Sequence, residues 1–451
     1  MKHLRIGFAR KDITPALGCC LSGYFETRCA DGIIDPLLGT AIAADDGNKV
    51  VLVYSLDLIG IFQQNQDMIR QAIADETGIP YEAIMITCTH THLGPVTTEG
   101  EAGYDPDVFD PSIVERLKND LILLAKDALN DRKPAEMYVA ENHVHDVSFI
   151  RAFRMKDGSI ETNPGWQNPN IVEPITKADD HLGLILFKRE NAPEIAIINF
   201  QVHPDVIGGT KFSADYPKFV RDTFENIIPN SRCMYINGAM GDSNHIDVSQ
   251  GPGTVRHGYQ RAIHMGRCIA GAAISVYALA QKSTSHTISY DQRDISLRTN
   301  KGTPEEIEEA KRVYDLWKSG QEDKILPPEE AKKGMAVICK IAKADRIMRL
   351  LPYPDWFSLH LGAIAIGDLV IAAIPGEPVA ATGMRFRAES GFRLTIAACC
   401  GNGYEDSYLP RSQTYDDGGY EPTTAIFVQG ETERVEDEFL KIMHELRKEM
   451  A

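Results

Sequence analysis

The sequence contains no Cys-x-x-Cys pair, no glycine- or serine-rich linker, no repeat and no low-complexity tract, and it is short of basic residues. Each absence removes a class of explanation. Its nine cysteines comprise two adjacent pairs, Cys19-Cys20 and Cys399-Cys400, and others scattered mostly through apolar contexts, so they read as reduced thiols. Lys and Arg number 47 against 64 Asp and Glu, a formal net charge of −17. That balance argues against nucleic acid or an anionic membrane surface as main partner, since both require a basic face. The most basic stretch, 332–349, also carries Met335, Val337, Ile338, Ile341 and Ile347 at helical spacing and is expected to be a packed amphipathic helix. No apolar stretch is expected to span a bilayer, and Met1-Lys2-His3-Leu4-Arg5-Ile6-Gly7 lacks the apolar core of a signal peptide, so a cytoplasmic location is expected. With no linker in 451 residues, the whole chain, 1–451, reads as one domain.

What is present is a set of apolar runs that break into Gly/Pro-punctuated loops. The runs 83–88, 195–202, 234–236, 370–374 and 395–399 lead respectively into Thr89-His90-Thr91-His92-Leu93-Gly94-Pro95, His203-Pro204, Asn237-Gly238-Ala239-Met240-Gly241-Asp242-Ser243-Asn244-His245, Pro375-Gly376-Glu377-Pro378 and Gly401-Asn402-Gly403-Tyr404. Continuous apolar runs are the signature of strands buried on both faces, and ligands collect beyond the carboxyl ends of such strands. His90, His203, Glu377 and a downstream tyrosine are therefore expected to converge. Two imidazoles and a carboxylate leave a coordination position open on a borderline-soft divalent ion, with one zinc per chain expected, and an open position points to catalysis. His90 and His92 are two apart, which on an extended segment points both the same way. A single histidine at a strand end reads equally well as a hydrogen-bonded structural residue; several such loops together read as a site.

Element patterns agree with an α/β fold. Helices are expected at 65–75, 112–129, 217–227, 256–281, 304–319, 329–350, 379–388 and 432–449, the fifth with a capping box of Thr303, Pro304 and Glu306. Strands are expected at 50–56, a pair at 182–188 and 194–200, and a hairpin of 363–366 with 369–374 turning through Gly367-Asp368. Hairpins inside a βα pattern imply mixed sheets.

These motifs, together with Gly7-Phe8-Ala9-Arg10, Asp12-Ile13-Thr14-Pro15, Phe149-Ile150-Arg151, Met155-Lys156-Asp157-Gly158, Thr162-Asn163-Pro164-Gly165, Ser213-Ala214-Asp215-Tyr216-Pro217 and Gly419-Tyr420-Glu421, stand in the order seen in the neutral/alkaline non-lysosomal ceramidase family. The chain resembles that family's catalytic domain along nearly its whole length, and looks most like its uncharacterised bacterial branch. The resemblance implies central mixed β-sheets flanked by helices, with the family's C-terminal sandwich domain absent and a helical insertion at 303–351. That insertion is expected to be a lid, an oligomer contact within a homo-oligomer, or a solvated hairpin. The resemblance also implies metal ligation by His90, His203, Glu377 and Tyr408, with Tyr404 an alternative to Tyr408, and places His92 beside the metal and Arg151 at a substrate-binding position.

One position departs from the family pattern. The serine that follows the Gly-Asp aspartate by two residues is Asn244 here, and Ser243 comes one residue early. The expectation is therefore hydrolysis by a metal-bound water, with Asn244 orienting substrate, His92 or Asp242 moving protons and Arg151 holding an anion or polarising a carbonyl. Asp242 reads equally as a turn residue after Gly241. Trp166 and Tyr404 are candidates for contacting substrate. The leading function is a zinc-dependent hydrolase of an amide or related acyl bond in a small polar or lipid-like molecule. The alternatives are a true ceramidase, a metal-dependent carbohydrate-active enzyme and a non-catalytic metal-binding protein.

Overall fold

The computed structural model describes residues 4–103, 108–251 and 254–450. Two sheets lie face to face with helices outside them. The larger, of nine strands, runs in the order Ser231–Asn237, Glu194–Phe200, His181–Arg189, Lys133–His143, Arg5–Asp12, Leu38–Asp45, Val50–Leu56, Ile84–Cys88, with Gln281–Lys282 also on Lys133–His143. The smaller is Ile288–Arg298, Trp356–Ile366, Leu369–Ala373, Leu394–Ala398. Both sheets are mixed: Val50–Leu56 with Ile84–Cys88, Glu194–Phe200 with Ser231–Asn237, and Leu369–Ala373 with Leu394–Ala398 are parallel, and the expected hairpins are antiparallel.

The alternation of side chains along a strand makes three cores from two sheets. On Leu38–Asp45, Ala41 and Ala43 join the helix-side core, while Ile42 and Ala44 join the core between the sheets, where Ile364, Ile371 and Ile396 of the smaller sheet meet them. The smaller sheet's other face, including Val370 and Ala372, packs on Phe386 of the helix Ala380–Glu389 and on Phe439 and Met443 of the helix Glu431–Glu449. Helices Pro111–Asn130, Tyr216–Ile227 and Tyr259–Val276 cover the outer face of the larger sheet.

The larger sheet curls until its two edges meet. Ser55 Oγ, one strand in from one edge, donates to Tyr235 O on the opposite edge strand at 2.6 Å. The loop after Leu394–Ala398 fills the seam: Cys399 N donates to Asn237 O at 3.2 Å and Asn402 N to Ile86 O at 2.9 Å, which satisfies backbone groups that open sheet edges would leave bare.

Two expectations need correction. The stretch Tyr259–Leu279 is long and apolar enough to cross a membrane by length and composition, where no such stretch was expected. In the fold its Ala262, Met265, Ile269 and Ala270 side chains are buried in the helix-side core, and a Cβ on Gly266 would come within 2.4 Å of Phe219, so close packing on the neighbouring helix accounts for its composition. The helix expected at 329–350 is divided into Pro328–Ala331 and Ala336–Leu350, because Gly334 between them takes φ +45°. The capping box of Thr303 and Glu306 on Pro304–Lys318 is present, and Cys88, Cys233, Cys399 and Cys400 are buried thiols.

Candidate metal centre

The seam gathers the strand-end loops. His90 follows Ile84–Cys88 and takes φ +72°, a left-handed conformation costing a non-glycine residue about 1–2 kcal/mol. Backbone bonds from Thr89 N to Leu56 O at 2.8 Å and His90 N to Leu58 O at 2.9 Å hold it there. Asn237, at the end of Ser231–Asn237, donates its side-chain amide to Thr89 O at 3.0 Å and to Val202 O at 3.3 Å. One buried amide thus ties the residue before His90 to the residue before His203. Asp215 braces the loop after His203, accepting from Val206 N and Ile207 N at 3.0 and 2.8 Å.

Glu377 arrives from the smaller sheet. Its two-residue strand Glu377–Pro378 pairs in parallel with Tyr408–Leu409, so Glu377 and Tyr408 are register partners. Gly241 is what lets the Gly-Asp loop pass this point: Gly241 N donates to Pro378 O at 2.8 Å, and a Cβ there would fall 2.6 Å from Glu377 O.

The ring nitrogens of His90, His92 and His203 lie within 4.8 Å of one another. Nδ1 of each faces a carbonyl, Ile59 O at 2.8 Å, Gly23 O at 3.0 Å and Met240 O at 3.4 Å respectively, which assigns the proton to Nδ1 and turns the Nε2 lone pairs inward. Burial lowers the His90 imidazole to about 3 and the other two well below the usual range, so all three are neutral at pH 7. Glu377 Oε2 sits 3.4 Å from His90 Nε2 and 3.3 Å from His203 Nε2, with no hydrogen-bond partner of its own, and Tyr408 Oη is 3.4 Å from His203 Nε2. Burial pushes the Glu377 carboxyl up to about 8, and two lone pairs and a carboxyl oxygen turned on one point repel unless a proton or a metal cation lies between them. Ligands about 2.0–2.1 Å from a shared tetrahedral ion stand roughly 3.3–3.4 Å apart, which is the spacing found. The residues fit a divalent ion.

His92 therefore joins the nitrogen cluster itself. Both tyrosines reach the centre, Tyr408 at His203 and Tyr404 through its hydroxyl, which donates to Glu377 Oε1 at 3.2 Å. A cavity of about 50 Å³ opens over them, with His90, His92, Glu377, Tyr404 and Tyr408 on its floor. Arg151 is buried behind Tyr408: Nε donates to Glu421 Oε1 at 2.7 Å and Nη2 to Gly241 O at 2.8 Å, with Tyr408 and Tyr420 rings 5.1 and 5.3 Å away. Asp242 accepts from Ala380 N at 2.8 Å, at the start of a helix. Asn244 donates to Asn163 Oδ1 at 2.9 Å. Trp166 packs on Arg256 and His257, 4.3 and 5.3 Å from its ring centre. None of these four lines the cavity over the histidines. Residues that do, and that the sequence did not single out, include Tyr24, Glu101, Asp345, Arg346, Arg349 and Asp406.

Fold and site together define a mixed α/β protein with a candidate metal centre at a sheet seam. No protein-family model matches the sequence. All of the chain superposes on neutral ceramidase from Pseudomonas aeruginosa, covering 75% of that chain with a TM-score of 0.77 at 18% identity. It likewise superposes in full on a ceramidase complexed with C2, covering 76% of it with a TM-score of 0.76 at 18% identity. The fold is neutral ceramidase-like.

Proposed function

We propose that this protein is a zinc-dependent hydrolase that cleaves an amide or related acyl bond in a small polar substrate. The observation that carries the reading is the convergence of His90 Nε2, His203 Nε2 and Glu377 Oε2 at the spacing of ligands to one ion, beneath a cavity. A zinc ion held there supplies Lewis acidity and a nucleophile at neutral pH. His92, its Nδ1 fixed on Gly23 O and its buried Nε2 without a partner, would present a third neutral imidazole nitrogen to the ion. Tyr404 orients the Glu377 carboxylate. Arg151 acts from behind, fixing Tyr408, Tyr420 and the Gly241 turn through its ion pair with Glu421.

Amide chemistry is supported by the ceramidase-like fold, and the small substrate by the cavity. About 50 Å³ is room for a handful of water molecules, and charged side chains form much of its walls. That volume favours a small polar amide over ceramide with its two long chains. The test is a hydrolysis screen of amides, esters and glycosides on the purified protein, before and after chelation and with zinc restored. Amide turnover lost on chelation and recovered with zinc is expected. Turnover indifferent to chelation would refute the metal-dependent mechanism.

A further inference from the structure

The cavity has a second wall, and its charges do not balance in the way its floor does. Asp345, Arg346 and Arg349 come from the helix Ala336–Leu350, which packs with Pro304–Lys318 around Val313, Trp317, Ile341 and Ile347. Each carboxylate lining the cavity has a partner. Asp345 accepts from Arg349 Nε at 2.9 Å; Asp406 accepts from Ala102 N at 2.5 Å and lies 3.7 Å from Arg349 Nη2. Glu101 accepts from the Ser22 hydroxyl, and burial raises its carboxyl well above the usual range. Glu377 accepts from Tyr404.

Arg346 is different. It is 2% exposed, Nη1 donates to Ala425 O at 3.1 Å, and Nε is buried with no acceptor. Among the described residues no carboxylate lies within ion-pair distance of it. Tyr415 and Glu306 act on it favourably, and the Glu306 carboxylate is itself taken by Lys343 at 2.6 Å. Burial pulls the Arg346 guanidinium down to about 10, more than those two groups offset. A buried charge without a partner is costly, and a ligand that brings the opposite charge removes that cost.

We propose that Arg346 receives a carboxylate of the substrate, so that the hydrolase inferred above acts on small amides bearing one negative charge, the chemistry of an N-acyl amino acid. This rests on the hydrolase reading and narrows its substrate. A guanidinium presents a planar set of donors that matches a carboxylate. A single charge fits better than a phosphate dianion, because Asp345 and Asp406 line the same cavity and would repel the second charge.

The test is binding, not turnover. Dissociation constants of N-acetylglycine and its neutral carboxamide, N-acetylglycinamide, are measured by thermal-shift titration of the metal-loaded protein, for wild type, Arg346→Gln and Arg346→Lys. Wild type is expected to prefer the carboxylate at least about tenfold, Arg346→Gln to lose about tenfold of that ratio, and Arg346→Lys to lie between. Any preference left in Arg346→Gln measures what the ion itself contributes. An equal ratio in wild type and Arg346→Gln overturns the proposal. So does a wild-type ratio near one, which decides the matter even if the variants do not fold. Carboxylate-selective binding without hydrolysis of any amide would instead sink the hydrolase reading and leave Arg346 as an anion receptor.

Discussion

At the metal centre His90, His203 and Glu377 stand two to four residues past the ends of buried strands, and their backbones are fixed by the sheets. Asp345, Arg346 and Arg349 stand on one face of a helix that is held by its packing on Pro304–Lys318 and by hydrogen bonds of Met335 N to Thr162 O and Arg346 Nη1 to Ala425 O. The floor is set by β-ladder register, strand-end loops and the Asn237 bridge, which tolerate little displacement. The wall depends on a small apolar cluster, Val313, Trp317, Ile341 and Ile347 among it, and can change its charges without disturbing a strand. On the proposed function, chemistry is thereby separated from selectivity: a fold that keeps the floor can exchange the wall.

That comparison can be broken in two places. Ile347 is fully buried between the two helices of the wall, so Ile347→Ala should cost about 2–4 kcal/mol, read by denaturant unfolding. Metal affinity should hold within about twofold in the same variant; a large drop would show that floor and wall are one unit. Asn237→Ala attacks the floor alone. Losing the amide that joins Thr89 O to Val202 O should weaken metal binding about 10- to 100-fold, the usual effect of removing a group that orients ligands, measured by competition with a chromogenic chelator. Unchanged affinity in Asn237→Ala would mean that the two histidine loops are set independently.

His90, His203, Glu377 and Tyr404 were legible in the sequence because each lies in a Gly/Pro-punctuated loop after an apolar run, a pattern that marks both the strand and its end, whereas Tyr408 came from the family resemblance. His90, His203, Glu377, Tyr404 and Tyr408 all reach the centre, from segments far apart in the chain. The wall was not legible. Arg346 and Arg349 alternate with Ala344, Ile347 and Leu350, so they read as the polar face of a surface helix; only the packing on Pro304–Lys318 reveals that this face covers a cavity. Trp166 stands apart from the cavity over the histidines. An aromatic in a Pro- and Asn-rich loop resembles a substrate platform, yet its neighbours are Arg256 and His257. Asp242 reaches across to the start of a helix, where its carboxylate accepts from Ala380 N, a contact that neither the turn reading nor the proton-transfer reading of the Gly-Asp loop anticipated. Long strands such as Lys133–His143 and Ile288–Arg298 escaped a search for apolar runs, since Glu136, Glu141, Asp291 and Arg293 interrupt them.

The central claim is that His90, His203 and Glu377 hold one metal ion at the seam. Elemental analysis of purified wild type beside His203→Ala tests it most directly, with circular dichroism confirming that both are folded. About one zinc per chain in wild type, lost in the variant, is the predicted result. Equal metal content in the two folded proteins, or none in either after incubation with zinc, would contradict the account.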